Sequence, residues 1–111
     1  MTPEVPAARA TTRFTDPDGV PNAWVDQLRG PAMSLGTYSI AAGGTDDQVP
    51  HREDEIYVVV SGRATLLVDQ ERLDVAAGSA VYVAAGREHR FTDVVEDLTV
   101  LVVFAPPYSG R

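Results

Sequence analysis

Hydrophobic and polar residues alternate over short runs along most of the chain, which is the pattern of β-strands that bury one face. The clearest run is EIYVVVS at residues 55–61. Similar runs predict strands at residues 33–40, 63–69, 72–75, 80–84, 89–93 and 98–105. Gly62 is predicted to turn the chain after the first of these runs. No run has the period of an amphipathic helix, so the pattern predicts an all-β sandwich or barrel.

Proline and glycine divide the chain into three parts. Residues 1–22 contain four prolines and are predicted to form an N-terminal arm or edge segment. Residues 23–106 are predicted to form a single barrel, because 111 residues suffice for one core but not for two. Residues 107–111 are predicted to be a tail, since Pro106 and Pro107 cannot continue a sheet.

The run at residues 55–61 is apolar on both faces. Glu55, Tyr57 and Val59 share one face, and Ile56 begins a second face of branched aliphatic residues. The outer face of a small barrel is normally polar, so this second face should be covered by the N-terminal arm or by another subunit. We predict a homodimer, because large apolar patches are rare on monomers.

The composition restricts the partners and the location of the protein. Nine basic residues against sixteen acidic ones give a formal net charge of −7, which disfavours binding to nucleic acid. No apolar run approaches the roughly 20 residues needed to cross a bilayer, and no signal peptide is recognisable. We therefore expect a cytoplasmic protein that binds neither nucleic acid nor membrane. The chain has no cysteine, so disulfides and thiolate ligands are excluded.

The two histidines of the chain both lie at borders between loops and strands. His51 lies in GTDDQVPHREDEIYVVVSG, residues 44–62, and His89 lies in GSAVYVAAGREHRFTD, residues 78–93. Imidazoles and carboxylates held at strand ends are suitable ligands for a metal ion or a polar molecule. Taken singly, a solvated His51 paired with a nearby acid and a His89 that caps a strand are the simpler interpretations.

The first stretch resembles the first motif of the cupin superfamily, commonly written G-x5-H-x-H-x3/4-E-x6-G. His51, Glu55 and Gly62 match its second histidine, its glutamate and its last glycine. Val49 occupies the position of the first histidine. Gly44 lies one residue closer to His51 than the motif places its first glycine.

The second stretch resembles the second cupin motif, G-x5-P-x-G-x2-H-x3-N. Gly78, Gly86 and His89 match it, while Ala84 replaces the proline and Asp93 replaces the asparagine. Both spacings agree, in order, within one all-β pattern over residues 33–105. The resemblance implies the cupin fold, a double-stranded β-helix or jelly-roll barrel.

The resemblance also implies a metal site. Carried over by position, the ligands are His51, Glu55 and His89, and the first histidine of the family is missing. Two imidazoles and one carboxylate leave coordination positions open and suit a divalent Fe, Mn, Ni or Zn ion. The amide oxygen of Gln48 and the carboxylate of Glu53 are candidates for the fourth position.

Three further residues are candidates for contacts with a substrate. Tyr57 shares its face with Glu55, so its phenol could donate a hydrogen bond to a bound molecule. Phe91 shares a face with His89, and Arg63 could hold a carboxylate group. The acidic residues of the loop are predicted to be solvated; they are Asp46, Asp47, Glu53 and Asp54.

The leading hypothesis is a small metal-dependent cupin enzyme that acts on a small organic molecule. An iron oxygenase and a Lewis-acid isomerase, lyase or decarboxylase both fit the predicted ligands. The alternative is a non-catalytic module that binds a sugar-like ligand through His51 and His89. A purely structural domain is the third hypothesis, but it gives no reason for imidazoles and a carboxylate to converge.

Overall fold

The computed structural model describes residues 7–48 and 50–109, and within them it contains six β-strands and no helix. The strands are β1 (Ala23–Arg29), β2 (Ser34–Ile40), β3 (Asp54–Val68), β4 (Glu71–Ala76), β5 (Ala80–Val83) and β6 (His89–Ala105). The predicted all-β fold class is therefore confirmed. In the described part of the chain, no helix is long and apolar enough to span a membrane.

The six strands form one antiparallel sheet in the order β1-β2-β6-β3-β4, and β5 also pairs with β3. The two long strands, β3 and β6, pair with each other from one end to the other. Glu55 lies opposite Phe104 at one end of this ladder, and Val68 lies opposite His89 at the other end. Strand β5 pairs with the Glu55 end of β3, and β4 pairs with the Val68 end.

The two long strands fold over, and this closes the sheet into a barrel. A straight strand from Glu55 to Val68 would extend roughly 40 Å. His89 pairs with Val68, yet its Nε2 atom lies 2.7 Å from Oε1 of Glu55. Both statements hold only if the strands bend, and the register of β3 against β6 shifts at three points between Val59 and Thr65. The jelly-roll barrel predicted from the sequence is confirmed.

Two chain breaks predicted from the sequence are wrong, because both lie inside the long strands. Gly62 was expected to be a hairpin turn, but it lies within β3 with a φ of +92°, a conformation that lets the strand bend. The interval between residues 93 and 98 belongs to β6. A glycine or a short polar run marks a bulge and a turn equally well, so the local pattern does not separate them.

Alternate residues of β3 face the barrel interior, as predicted. Glu55, Tyr57 and Val59 are buried, whereas Ile56 and Val60 are 42% and 44% exposed. The interior faces of β2 and β6 add further buried aliphatic and aromatic side chains to the same core.

The outward face of the sheet carries an apolar group of side chains. Ile56 lies between Val103 of β6 and Tyr82 of β5, and Tyr82 is 59% exposed. Contact of this face with another apolar surface would be stabilised by the burial of these side chains. The homodimer expected from the sequence stays a prediction.

The predicted arm and tail are described in part. Residues 7–22 form no strand, and the backbone N–H of Thr15 donates to Oγ of Ser39 in β2. In the tail, the N–H of Tyr108 donates to Oγ of Ser34, at the start of β2. Residues 1–6, 49, 110 and 111 lie outside the described residues.

Replacing Gly62 by alanine should destabilise the barrel more than the same change at Gly78. Both glycines have a positive φ, +92° and +95°, so both substitutions strain the backbone. A Cβ at Gly62 would also lie 2.2 Å from the carbonyl oxygen of Asp97, whereas one at Gly78 would meet nothing within 4 Å. We expect Gly62→Ala to lower the free energy of unfolding by about 1–3 kcal/mol more than Gly78→Ala, measured by urea denaturation. Equal losses would contradict this steric role.

Candidate metal centre

One continuous alternation brings the site residues of the first stretch into the barrel. From His51 to Val59, every second residue is buried, including Glu55 and Tyr57. The inward face of β3 is therefore extended backwards into the loop that precedes it. His89 is the first residue of β6 and reaches the same interior from the opposite end of the folded ladder.

His51, Glu55 and His89 converge inside the barrel. One ligand atom from each residue lies within 4.8 Å of those of the other two, and all three residues are buried. The His89 Nε2 atom lies 2.7 Å from Oε1 of Glu55, and the two imidazole rings have centroids 5.4 Å apart. After small side-chain adjustments, one metal ion could lie at roughly 2.0–2.2 Å from a ligand atom of each residue, the distance at which such ligands bind a transition metal.

A backbone carbonyl fixes the tautomer of His89. Its Nδ1 atom lies 2.8 Å from the carbonyl oxygen of Arg87, which can only accept, so Nδ1 carries the proton. The Nε2 atom is thereby directed at Glu55 and is the atom available to a metal ion. Burial lowers the pKa of His89, but the Glu55 carboxylate and the Arg87 carbonyl outweigh burial, and the net shift is upward. At a pH below the pKa of His89, Nε2 carries a proton that faces the Glu55 carboxylate.

Asp46 holds the amide of Gln48 in one orientation. Gln48 Nε2 donates to Asp46 Oδ2 at 2.6 Å, because a carboxylate oxygen only accepts. The other end of the amide, Oε1, therefore points into the site, where it lies 3.3 Å from His51 Nε2 and accepts a hydrogen bond from the Tyr57 hydroxyl at 2.9 Å. A neutral oxygen donor is thus presented beside the histidines.

Asp46 is itself anchored by the barrel. Its two oxygens accept hydrogen bonds from the Tyr38 hydroxyl, the backbone N–H groups of Gln48 and Phe91, and the Gln48 side chain. The expectation that this acid is solvated is wrong, since Asp46 is only 8% exposed. The local pattern gives no signal for its burial, because Tyr38 on β2 and Phe91 on β6 come together around it only in the folded barrel.

Tyr57 and Phe91 form the wall of the barrel beneath the cluster. The Tyr57 ring lies 5.9 Å from that of His89 and 5.0 Å from that of Phe91. Burial, followed by the charge of Glu55, raises the pKa of Tyr57 well above its ordinary value, so its hydroxyl remains a donor. Phe91 contacts the ring of Tyr57.

The predicted alternative ligand Glu53 faces the C-terminal tail. It is 2% exposed, and its Oε2 accepts a hydrogen bond from the N–H of Ser109 at 2.9 Å. The prediction that Glu53 is solvated is therefore wrong. Burial raises the pKa of Glu53, but the hydrogen bonds with Ser109 outweigh it and the net shift is downward. Among the described residues, the group with metal-ligand spacing contains His51, Glu55 and His89 but not Glu53.

Arg63 and Asp93 lie away from the cluster. Arg63 is on the surface, where its guanidinium pairs with Glu96 at 3.4 Å. Asp93 has a φ of 49°, which breaks the alternation of β6, and its exposed carboxylate binds Arg72 at 2.9 Å. Neither side chain is brought to the site.

The donor set fits a divalent transition metal. Within the described residues, Glu55 Oε2 and His89 Nε2 are buried without a hydrogen bond of good geometry, although Nε2 is close to the other carboxylate oxygen. Leaving buried polar atoms without partners is costly. An ion bound by both groups and by His51 would remove this cost, and two imidazoles, a carboxylate and an amide oxygen are ligands that such ions accept.

The stability of the metal-free protein should fall as the pH rises through the titration of His89. The raised pKa means that the pair with Glu55 stabilises the fold fully below the unfolded value of 6.5, and that this stabilisation is lost above the folded pKa. Urea denaturation in a chelator from about pH 5.5 to 9 should show the decline. His89→Gln should reduce its slope, and an unchanged slope in that variant would contradict the assignment.

Comparisons with known proteins agree with this fold. The protein-family model of the cupin domain matches residues 36–104 of this chain. The uncharacterized protein SCO3923 of Streptomyces coelicolor is 54% identical over 87 residues, which cover 78% of this chain and 83% of that protein.

Two solved structures share the fold at low identity. KdgF from Halomonas sp. has a TM-score of 0.73 and 16% identity, covering 90% of this chain and 97% of its own. An RmlC-like cupin family protein with a double-stranded β-helix fold, from Methanocaldococcus jannaschii, has a TM-score of 0.70 and 17% identity, covering 90% and 93%. These two likenesses bear on the fold alone. Together with the match over residues 36–104, the folded-over barrel and its two histidine stretches show that this chain belongs to the cupin superfamily.

Proposed function

We propose that this cupin is a metal-dependent enzyme that acts on a small organic molecule at the His51, Glu55 and His89 cluster. The observation that carries the proposal is the convergence of these three buried residues, in which Glu55 Oε2 and His89 Nε2 lack other partners of good geometry among the described residues. A barrel stabilised by packing alone gives no reason to bury these groups together, because an apolar core would cost less.

His51, Glu55 and His89 would hold the ion. The amide oxygen of Gln48 would be the fourth ligand. Gln48 stands one residue before Val49, the position at which the cupin motif has its first histidine. When bound, a divalent ion would supply Lewis acidity, and a redox-active one would add dioxygen chemistry. Tyr57 would keep its proton and donate a hydrogen bond at the same place, to Gln48 or to a substrate oxygen.

Two cavities reach this cluster from different sides. One, of about 230 Å³, is lined by Gln48 and His51. The other, of about 400 Å³, is lined by Gln48 and His89. Gln48 lies between them, so a substrate in either cavity would approach the ion at the edge formed by the amide. Cavities of this size suit a small molecule rather than a polymer.

Protein purified without chelators and without a metal-binding tag should contain about one divalent metal ion per chain. Elemental analysis of the parent and of a His51→Ala, His89→Ala variant tests this, with Arg63→Ala as a control, because Arg63 lies on the surface in a pair with Glu96. We expect the double variant to lose the metal and stay folded, and the control to retain it. Iron would favour an oxygenase, and zinc, nickel or manganese a Lewis-acid isomerase, lyase or decarboxylase.

Asp46→Asn refines the same measurement, because it keeps every proposed ligand. The asparagine amide would present a donor towards Gln48 and release the orientation of its side chain, so metal affinity should fall by about 10–100-fold. Absence of metal from the parent, even after reconstitution, would sink the metalloenzyme proposal. Ligand binding by a parent protein that takes up no metal even after reconstitution would instead favour the non-catalytic binding module.

A further inference from the structure

The cavity beside His51 and Gln48 has a wall of aromatic rings. Trp24, Tyr38, Phe104 and Tyr108 line it, and its volume is about 230 Å³. The ring of Trp24 lies 5.6 Å from that of Tyr108, 5.8 Å from that of Phe104 and 6.4 Å from that of Tyr38. These residues come from β1, β2, β6 and the tail, so the fold assembles four distant parts of the chain around one small space.

The position of Trp24 is built into the sheet. Its indole lies over Gly36 on the neighbouring strand, where a Cβ would come within 2.1 Å of the ring. Tyr38 is the cross-strand neighbour of Trp24. On the opposite side, Tyr108 stacks on Phe104 with centroids 4.6 Å apart, and the Tyr108 N–H is held by Ser34. The wall is therefore held by backbone as well as by side-chain contacts.

The charge at this cavity is negative. Asp47 lines it and is exposed, with Asn22 donating to one oxygen of its carboxylate at 3.0 Å. Asp46 lies directly behind, bound to the Tyr38 hydroxyl at 2.6 Å. The guanidinium of Arg29 donates to the Tyr108 carbonyl, and Arg29 is not among the residues that line the cavity.

We propose that this aromatic cavity binds a small organic cation, an alkylammonium or quaternary ammonium group. Aromatic faces attract such cations through their quadrupoles, and a carboxylate at the rim adds a full opposite charge. An anionic ligand would meet the Asp47 carboxylate, and no lysine or arginine is among the described residues that line the cavity. A neutral apolar ligand would use the rings but leave the carboxylate without a role.

The positions of the lining residues also determine the orientation of a bound ligand. Asp47 is exposed, whereas Gln48 and His51 are at its buried end. A substrate would place its cationic group between the rings near Asp47 and extend an oxygen-bearing end towards His51. This assignment rests on the proposed function, because it names the substrate class of the same site, but binding of the cation itself does not require the metal.

Trp24 makes the test direct, since it is the only tryptophan of the chain and lies in the cavity wall. Its fluorescence is titrated with choline and with 3,3-dimethyl-1-butanol, which has the same shape with carbon in place of the charged nitrogen. We expect choline to bind about tenfold more tightly than the alcohol. Equal affinities, or no fluorescence response to choline, would overturn the proposal.

Two variants separate the contributions of ring and charge. Tyr108→Leu removes one aromatic face but keeps an apolar side chain, and Asp47→Asn removes the charge while keeping the shape. Both should weaken choline binding several-fold and leave binding of the alcohol unchanged. Unchanged choline affinity in both variants would place the response elsewhere and overturn the proposal.

Repeating the titrations on chelated and on metal-loaded protein distinguishes this inference from the proposed function. Preference for choline in a protein that binds no metal would support the cation site while refuting the metalloenzyme. Stoichiometric metal without a preference for choline would refute the cation site and leave the metalloenzyme in place.

Discussion

The buried carboxylate of Asp46 is the interaction on which the site depends. It ties the loop before β3 to the Tyr38 hydroxyl on β2 and to the Phe91 N–H on β6, and it sets the amide of Gln48. Each of these hydrogen bonds replaces a contact with water that a buried carboxylate has lost, so the residue is stable there only while its partners are in place. Asp46 therefore connects the loop before β3 to both β2 and β6.

The second constraint is the bending of the two long strands. Glu55 and His89 lie at opposite ends of the β3–β6 ladder, and they meet because the ladder folds over at its register shifts. A Cβ at Gly62 would overlap the backbone at Asp97. Because glycine has no Cβ, the strands approach more closely here than other residues allow. The bend that closes the core is thus the same bend that assembles the candidate ligands, so stability and site geometry are coupled.

The sequence predicted the parts of this structure that depend on local periodicity. The alternation from Glu55 to Val59 identified the inward face correctly, and the cupin motif spacing indicated that the two histidines converge. Features that depend on partners distant in the chain could not be predicted in this way. Asp46 and Asp47 are adjacent acids, yet one is enclosed by β2 and β6 and the other reaches the rim of the cavity. Trp24 and Tyr108 lie near opposite ends of the chain, and nothing in their local pattern indicates that they share one wall. Gly62 was misjudged because a glycine permits both a turn and a bulge.

The charges inside the barrel connect the metal-free and metal-bound states. Glu55 is buried, and its Oε1 lies 2.7 Å from Nε2 of His89, which in the metal-free protein carries a proton at a pH below the pKa of His89. Nε2 is also the atom that would bind a metal ion. Proton and metal therefore compete for one position, and either can compensate the carboxylate. Gln48 differs, because its neutral oxygen carries no proton to displace and is already directed inward by Asp46. An amide in place of a third imidazole leaves the ligand set with the same charge, so the loss of the family's first histidine does not remove the electrostatic reason for binding a divalent ion.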